Sequence, residues 1–240
     1  MEIKKIPIDY FVERINNNEP FSFSRFGDGE IICMFNAEYF RSTRHRNMEW
    51  LYNCGKELKQ IIINNYDYFH GFNRTNFTDA RWNGKSPHRG IECLNFLEKN
   101  NTPLIYEGDW QGYPIVKITE AINKHNPVFI GGKHLSNIQY LNGITNMQLI
   151  KVDDNNAYNQ KKVIIDSIMK KYNNGSRMFC FSASVIGKII IDELYHVIGK
   201  DAFMIDFGSL FDPYCGNLSR SGMRNNGFQI FQPFTTLNLL

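Results

Sequence analysis

The chain has 240 residues, of which 42% are hydrophobic and 14% aromatic, enough to bury the core of one large domain. A formal net charge of +3 is too small to recruit nucleic acid by bulk electrostatics, no apolar run is long enough to span a bilayer, and the start Met1-Glu2-Ile3-Lys4-Lys5 lacks the apolar stretch of a secretory leader. Five scattered cysteines (Cys33, Cys54, Cys93, Cys180, Cys215) with no C-x-x-C spacing argue against a disulfide framework or a structural zinc, and for reduced thiols in a cytoplasmic protein.

In chain order, residues 9–16 read as a helix. Residues 21–26 read as a strand, with Phe21 and Phe23 alternating against Ser22 and Ser24. The chain then breaks through Gly27 and Gly29 into the apolar run Ile31-Ile32-Cys33-Met34-Phe35, which predicts a helix over residues 29–35. Residues 49–64 carry a longer amphipathic pattern, with Trp50, Leu51, Leu58, Ile61 and Ile62 on one face, and residues 66–72 a short strand. Apolar runs at 103–107 and 128–130 end at glycines and lead into helical stretches at 115–123 and 135–141. Strands at 147–152, 178–181 and 203–205 repeat the theme, with helices over 159–171 and 185–197 between them. Short strands alternating with helices predict βαβ units, hence an α/β chain with a mainly parallel sheet flanked by helices. No repeat, low-complexity tract or Pro/Gly linker divides it, so residues 1–240 read as a single domain.

Ligands of such sheets bind at the carboxyl ends of the strands. The predicted ends are 25–30, 107–110, 131–134, 153–158, 182–184 and 206–212, and together they hold an unusual share of the polar and glycine residues. The first is the most informative. Asp28 and Glu30 stand one residue apart on a glycine turn, with Arg25 just upstream. Two carboxylates at that spacing can share one hard divalent cation, and the arginine can hold a phosphate. The structural alternative is that Asp28 caps the helix, Glu30 favours its first turn and Arg25 is an ion-pair partner. Against a simple cap, the capping-box position counted from Asp28 is Ile31, and the flanking glycines cost backbone entropy.

Other motifs are weaker. Gly131-Gly132-Lys133-His134 lacks phosphate-loop spacing and reads as a turn with a solvent-facing lysine. There is no G-x-G-x-x-G after the first strand, no H-E-x-x-H and no G-x-S-x-G, which disfavours a dinucleotide cofactor, a histidine zinc site and a serine hydrolase. Ser182 and Ser184 suit helix capping as well as phosphate contact. The basic cluster Arg41 to Arg46 reads as a solvated loop that can also face an anionic acceptor. In the tail, Asp212-Pro213-Tyr214 is followed by Arg220 and Arg224, and two arginines near a strand-end acid also suit a diphosphate. Trp82, Trp110 and Tyr113 serve either as packing anchors or as sugar-stacking faces.

The stretch Ser24-Arg25-Phe26-Gly27-Asp28-Gly29-Glu30 closely resembles the N-terminal signature of the GT-D type glycosyltransferases, a bacterial family long known only as a domain of unknown function. Cys180 to Leu194, then Ile205-Asp206-Phe207-Gly208-Ser209, is similar to that family's strand–helix–strand ending in an acid and a glycine. Asn155-Asn156-Ala157-Tyr158 resembles its Asn-Ala-aromatic turn. The resemblance implies a Rossmann-like fold and a D-x-E pair, here Asp28 and Glu30, that binds Mn²⁺ or Mg²⁺ and with it a nucleoside-diphosphate sugar, a UDP-sugar first of all. Some members carry a histidine where this chain has Ser209, so no role transfers from it.

The expected activity is metal-dependent transfer of a sugar to a hydroxyl acceptor in glycan, glycopeptide or lipid-linked precursor assembly. Asp28 and Glu30 are the expected metal ligands. Arg25, Gly27, Ser182, Asp206 and Arg220 are the expected donor contacts, and Asp212 or Asp109 the acid that takes the acceptor proton if the anomeric centre inverts. A metal-dependent phosphoesterase and a non-catalytic nucleotide-sugar-binding module are the alternatives.

Overall fold

The structure is a computed structural model, and it describes residues 3–36, 49–64, 68–72, 90–100, 105–107, 110, 114–141, 144–153 and 157–217. Its strands are β1 (Ile3–Lys5), β2 (Ser22–Phe26), β3 (Phe69–Phe72), β4 (Ile105–Glu107), β5 (Val128–Gly131), β6 (Gln148–Lys151), β7 (Met178–Ser182) and β8 (Phe203–Asp206). They form one eight-stranded sheet in the order β1-β4-β3-β2-β8-β7-β5-β6. Every pairing is parallel, so all the strands end at the same edge. From β2 the chain steps outward through β3 and β4, and later strands fill the other half up to β8, which lies against β2. A reversal of strand order of this kind opens a crevice at the carboxyl edge, here above β2 and β8.

The helices among the described residues are α1 (Ile8–Asn16), α2 (Asp28–Phe35), α3 (Glu49–Ile63), α4 (Gly90–Lys99), α5 (Ile115–Asn123), α6 (Lys161–Asn173) and α7 (Ser184–Ile198). Shorter 3₁₀ segments run over Lys133–Tyr140, Ala157–Gln160 and Pro213–Cys215. Alternation along the strands sends side chains into two cores. Val128, Ile130, Phe179, Phe181 and Met204 pack under α2, α3, α4, α6 and α7. Phe129, Met178, Cys180, Phe203 and Ile205 pack under α1, α5 and the 3₁₀ segments Lys133–Tyr140 and Pro213–Cys215. Covered on both faces, the central strands read as apolar runs rather than as alternating ones. The five cysteines are buried and form no disulfide. No described helix is long and apolar enough to cross a membrane.

Several elements differ from expectation. The 135–141 stretch is 3₁₀ rather than α-helical, since its buried side chains Leu135, Ile138 and Leu141 recur every third residue, the 3₁₀ period. β1 and α4 were not foreseen. In α4 only Gly90, Cys93 and Leu97 are buried, too thin an apolar stripe to stand out in sequence. The strand expected at 66–72 is β3, Phe69–Phe72, with residues 66 and 67 outside the described residues. The side chains of Trp50 and Leu51 also lie outside them.

The orientation of α2, which carries the acidic corner, depends on its contact with α3. A Cβ on Gly55 of α3 would come within 2.4 Å of the Cys33 backbone oxygen. Alanine at a free helical position gains about 1 kcal/mol over glycine. Here the two backbones must separate, at a typical overpacking cost of about 1–3 kcal/mol. Gly55→Ala is therefore expected to lower the urea-unfolding free energy despite its better helix propensity, and a gain in stability would show that α2 and α3 do not meet at this glycine.

Candidate functional site

At the end of β2, Gly27 is the N-cap of α2, which begins at Asp28. The Gly27 N–H donates to Oε2 of Glu30 at 2.8 Å. This is the carboxylate half of a capping box, with the cap one residue earlier than the sequence reading assumed. The second oxygen, Oε1, lies 2.9 Å from Nζ of Lys188 in α7, and the same Nζ is 2.7 Å from Oδ2 of Asp206 at the end of β8. Glu30 is 7% exposed, Lys188 3% and Asp206 0%, so the bridge is sealed from water.

An ammonium has three protons to donate, and the third bond of Lys188 goes to the Ser184 carbonyl at 3.1 Å. Ser184 has φ +54°, a left-handed conformation that costs an L-residue about 1–2 kcal/mol. Asp206 in turn accepts the Arg25 N–H at 3.3 Å and the Gly208 N–H at 2.9 Å. The first turn of α2 and the end of β8 are thus fastened to one buried amine of α7. Burial alone would push the Glu30 carboxyl up, but the Lys188 charge and the Lys188 and Gly27 hydrogen bonds hold it below its ordinary 4.5. Burial alone would lower Lys188, and the carboxylates of Asp206 and Glu30 instead raise it above 10.5.

Arg25 alternates with Phe21 and Phe23 and so belongs to the other face of the sheet. Its guanidinium packs on Gly208, where a Cβ would come within 2.7 Å of Nη1 and where φ is +58°. The turn after β8 is bare at the point where the arginine crosses it. Further along this edge, the hydroxyls of Ser182, at the end of β7, and Ser209 are buried without a hydrogen-bond partner. Beyond them Nε2 of His134 lies 3.0 Å from Oδ1 of Asp212.

The expected residues divide accordingly. Asp28 is half-buried at the head of α2, and Arg25, Gly27, Ser182 and Asp212 lie along the carboxyl edge. The oxygens of Glu30, an expected metal ligand, and of Asp206, an expected donor contact, are engaged with Lys188 and with backbone N–H groups inside the protein. Neither Ser182 nor Ser184 caps α7, whose N-cap is Ala183 without a side-chain bond. Trp110 is a core anchor, its ring 4.9 Å from that of Phe207 and 5.5 Å from that of Phe23. Tyr158 fastens its turn to α3 by donating to Glu57. Trp82, Asp109, Tyr113, Asn155, Asn156, Arg220, Arg224 and the cluster Arg41 to Arg46 lie outside the described residues.

Two residues escaped the sequence reading. Lys188 stands alone within the apolar Val185-Ile186-Gly187-Lys188-Ile189-Ile190-Ile191, a visible sign of a buried, paired amine. His134 sits in a stretch, Gly131-Gly132-Lys133-His134, whose sequence reads as a turn. Among the described residues no three His, Cys, Asp or Glu side chains gather to hold a metal by themselves.

No protein-family model matches the chain, and no curated protein sequence does. Solved structures do. One described as a new glycosyltransferase (DUF1792) from Streptococcus sanguinis aligns over 89% of this chain and 84% of its own, with 15% identity and a TM-score of 0.63. Another, described as the highly conserved domain of unknown function 1792 with a distinct glycosyltransferase fold, aligns over 89% and 80%, with 18% identity and a TM-score of 0.62. A selenomethionine-substituted DUF1792 structure aligns over the same shares, with 19% identity and a TM-score of 0.60. The chain has the fold of these domains, an α/β Rossmann-like architecture, as the resemblance implied.

Removing one partner of a buried ion bridge typically costs about 3–5 kcal/mol. Lys188→Met, which strands two carboxylates, is expected to lose that much in urea unfolding, and a loss below about 1 kcal/mol would contradict the bridge. The depressed Glu30 acid contributes stability above 4.5 that disappears as pH falls through its lower folded value, and the raised Lys188 contributes below 10.5 and loses its share as pH rises through its higher one. Unfolding free energy should therefore decline below about pH 4 in the wild type and more shallowly in Glu30→Gln.

Proposed function

We propose that this chain is a glycosyltransferase that moves a sugar from a nucleoside-diphosphate sugar, a UDP-sugar in the first instance, to a hydroxyl of a glycan, glycopeptide or lipid-linked acceptor. The observation that carries the reading is the Arg25 guanidinium lying across the bare Gly208 turn at the strand-order reversal between β2 and β8. A guanidinium there can make charge-assisted, forked hydrogen bonds to a diphosphate, and the first-turn N–H groups of α2 add positive potential beside it. The fold shared with the Streptococcus sanguinis protein described as a glycosyltransferase supports the same chemistry.

A divalent cation fits this corner in one manner. Mg²⁺ and similar hard ions are held by one or two carboxylates together with substrate phosphates, and Asp28 supplies one such carboxylate. Mg²⁺ or Mn²⁺ bound there would supply charge neutralisation for the departing diphosphate. Glu30 shapes the turn that presents Asp28, because its own oxygens are engaged with Lys188 and the Gly27 N–H. Asp206 fixes the backbone of Arg25 and Gly208. The buried Ser182 hydroxyl, without a protein partner, is suited to a phosphate or sugar oxygen, and Arg220 would add a second guanidinium.

The test is thermal unfolding with UDP, GDP, CMP or dTDP, each with and without Mn²⁺. A ligand at a hundred times its dissociation constant adds about 2.7 kcal/mol, or roughly 5–10 °C for a chain of this length. The expected result is a rise with UDP that needs Mn²⁺ and is lost in Asp28→Ala. A flat response to every nucleotide would overturn the reading. Release of phosphate from simple phosphoesters without any sugar would replace it with a phosphoesterase.

A further inference from the structure

His134 and Asp212 come from opposite ends of one gap. His134 follows β5, Asp212 follows β8, and the two meet across the carboxyl end of β7, which lies between those strands. The Asp212 side chain is 11% exposed and that of His134 24%, so the carboxylate sits behind the imidazole. Each partner is held independently of the pair. The Asp212 carbonyl accepts the N–H groups of Cys215 at 3.1 Å and Asn217 at 2.9 Å, and its own N–H donates to the Ser209 carbonyl at 3.3 Å. The segment bearing His134 is tied to the same turn by Asn137, whose Nδ2 donates to the Cys215 carbonyl at 3.2 Å.

With Nε2 turned to the acid, Nδ1 is the remaining basic atom of the ring, and it bonds to no described residue. On the same edge are two of the buried hydroxyls without a hydrogen-bond partner, Ser182 at the end of β7 and Ser209, three residues before Asp212. Unpaired polar groups in a dry place cost about 1–3 kcal/mol each unless something completes them, and a hydroxylic ligand does so.

Resting on the glycosyltransferase reading, we propose that His134 is the general base that deprotonates the acceptor hydroxyl, that Asp212 is its positioning residue, and that the transfer inverts the anomeric centre. The Arg25 guanidinium, which would hold the diphosphate, rests on Gly208 just beyond the end of β8, and His134 meets Asp212 across the end of β7, the neighbouring strand. The sugar would lie between them, over β8 and β7. Leaving group and acceptor are then on opposite sides of the anomeric carbon, which is the requirement for inversion. The acceptor O–H proton passes to Nδ1 of His134 as the oxygen lone pair forms the new C–O bond, and the old anomeric C–O bond breaks with its electron pair going to the diphosphate. Asp212 stabilises the imidazolium that results, and water later removes the proton.

The other titratable groups on the turn packed against His134 stay neutral near pH 7. Burial raises Cys215 to about 12, with the Asp212 charge adding to it, and burial also raises Tyr214. Lys133, the adjacent residue, is exposed. Asp212 is thus the nearest fixed charge on that turn.

The experiment follows UDP release from UDP-glucose, UDP-galactose and UDP-N-acetylglucosamine with Mn²⁺, water serving as acceptor, between pH 5 and 9. Wild type, His134→Gln and Asp212→Asn are compared, with UDP affinity measured in parallel. His134→Gln should lower kcat by about 100-fold or more, keep UDP affinity within twofold and erase the acid limb of the kcat profile. Asp212→Asn should lower kcat at unchanged donor KM. Real-time NMR of the sugar released from the α-linked donor should show the β-anomer first. A wild-type rate and acid limb in His134→Gln, or the α-anomer first, would overturn the base while leaving the enzyme a glycosyltransferase. A wild type that neither binds nor turns over a nucleotide sugar would remove both readings together.

Discussion

The buried ammonium of Lys188 is the contact on which the carboxyl edge depends. It satisfies Glu30 from the first turn of α2, Asp206 from the end of β8 and the Ser184 carbonyl one turn back in its own helix. Apolar side chains in the same volume would be about as stable or more so, since desolvating charges offsets most of their attraction. What they would lack is direction. A lysine bridging two carboxylates allows one arrangement of the head of α2 and the turn after β8, and these carry Asp28 and Gly208. Any ligand between them meets a geometry that is already fixed, which is the condition for strong electrostatic stabilisation of developing charge.

The all-parallel sheet explains why so few residues suffice. Every strand ends at one edge, so each strand-end turn can reach the crevice, and the two faces divide the work. The face under α7 holds the charges that position the turns, in a site closed to water. The face under α1 and α5 holds Arg25, the two unpartnered hydroxyls and the His134–Asp212 pair. Apart from Asp28 at the head of α2, structure and chemistry are therefore carried by opposite sides of the same strands. An acid such as Asp206 can be indispensable to the site without touching a ligand.

Local pattern made the sheet and the corner legible. The strands are short apolar runs ending at glycine or polar residues, and the Arg25 to Glu30 turn names itself by composition. What could not be read were roles decided by distant partners. Nothing near Glu30 in the sequence points to Lys188, the residue that engages it, because that lysine lies in another helix. A capping role weighed for Asp28 fails on box spacing, and the true cap, Gly27, has no side chain to advertise the position. His134 is 78 residues from Asp212, and no spacing rule links them. The 3₁₀ segment Lys133–Tyr140 is different, since the every-third-residue spacing of Leu135, Ile138 and Leu141 is visible in the sequence and also fits a helix of longer period.

The stretch from Asp206 to Asp212 joins the two halves of the edge. Its first residue is locked to Lys188, its third is the glycine under Arg25, and its last holds His134. Between them Phe207 and Phe211 are driven into the second core, with ring centroids 4.9 Å from Trp110 and 5.4 Å from Phe129, and 5.2 Å from each other. Aromatic anchors alternating with functional residues leave this stretch little freedom, because a shift in any polar residue would have to move a buried ring through close-packed neighbours. The spacing between the arginine side and the histidine side of the crevice is therefore a property of one rigid turn. A change in the core beneath Phe207 or Phe211 would misalign the two sides without removing a single group that touches a ligand.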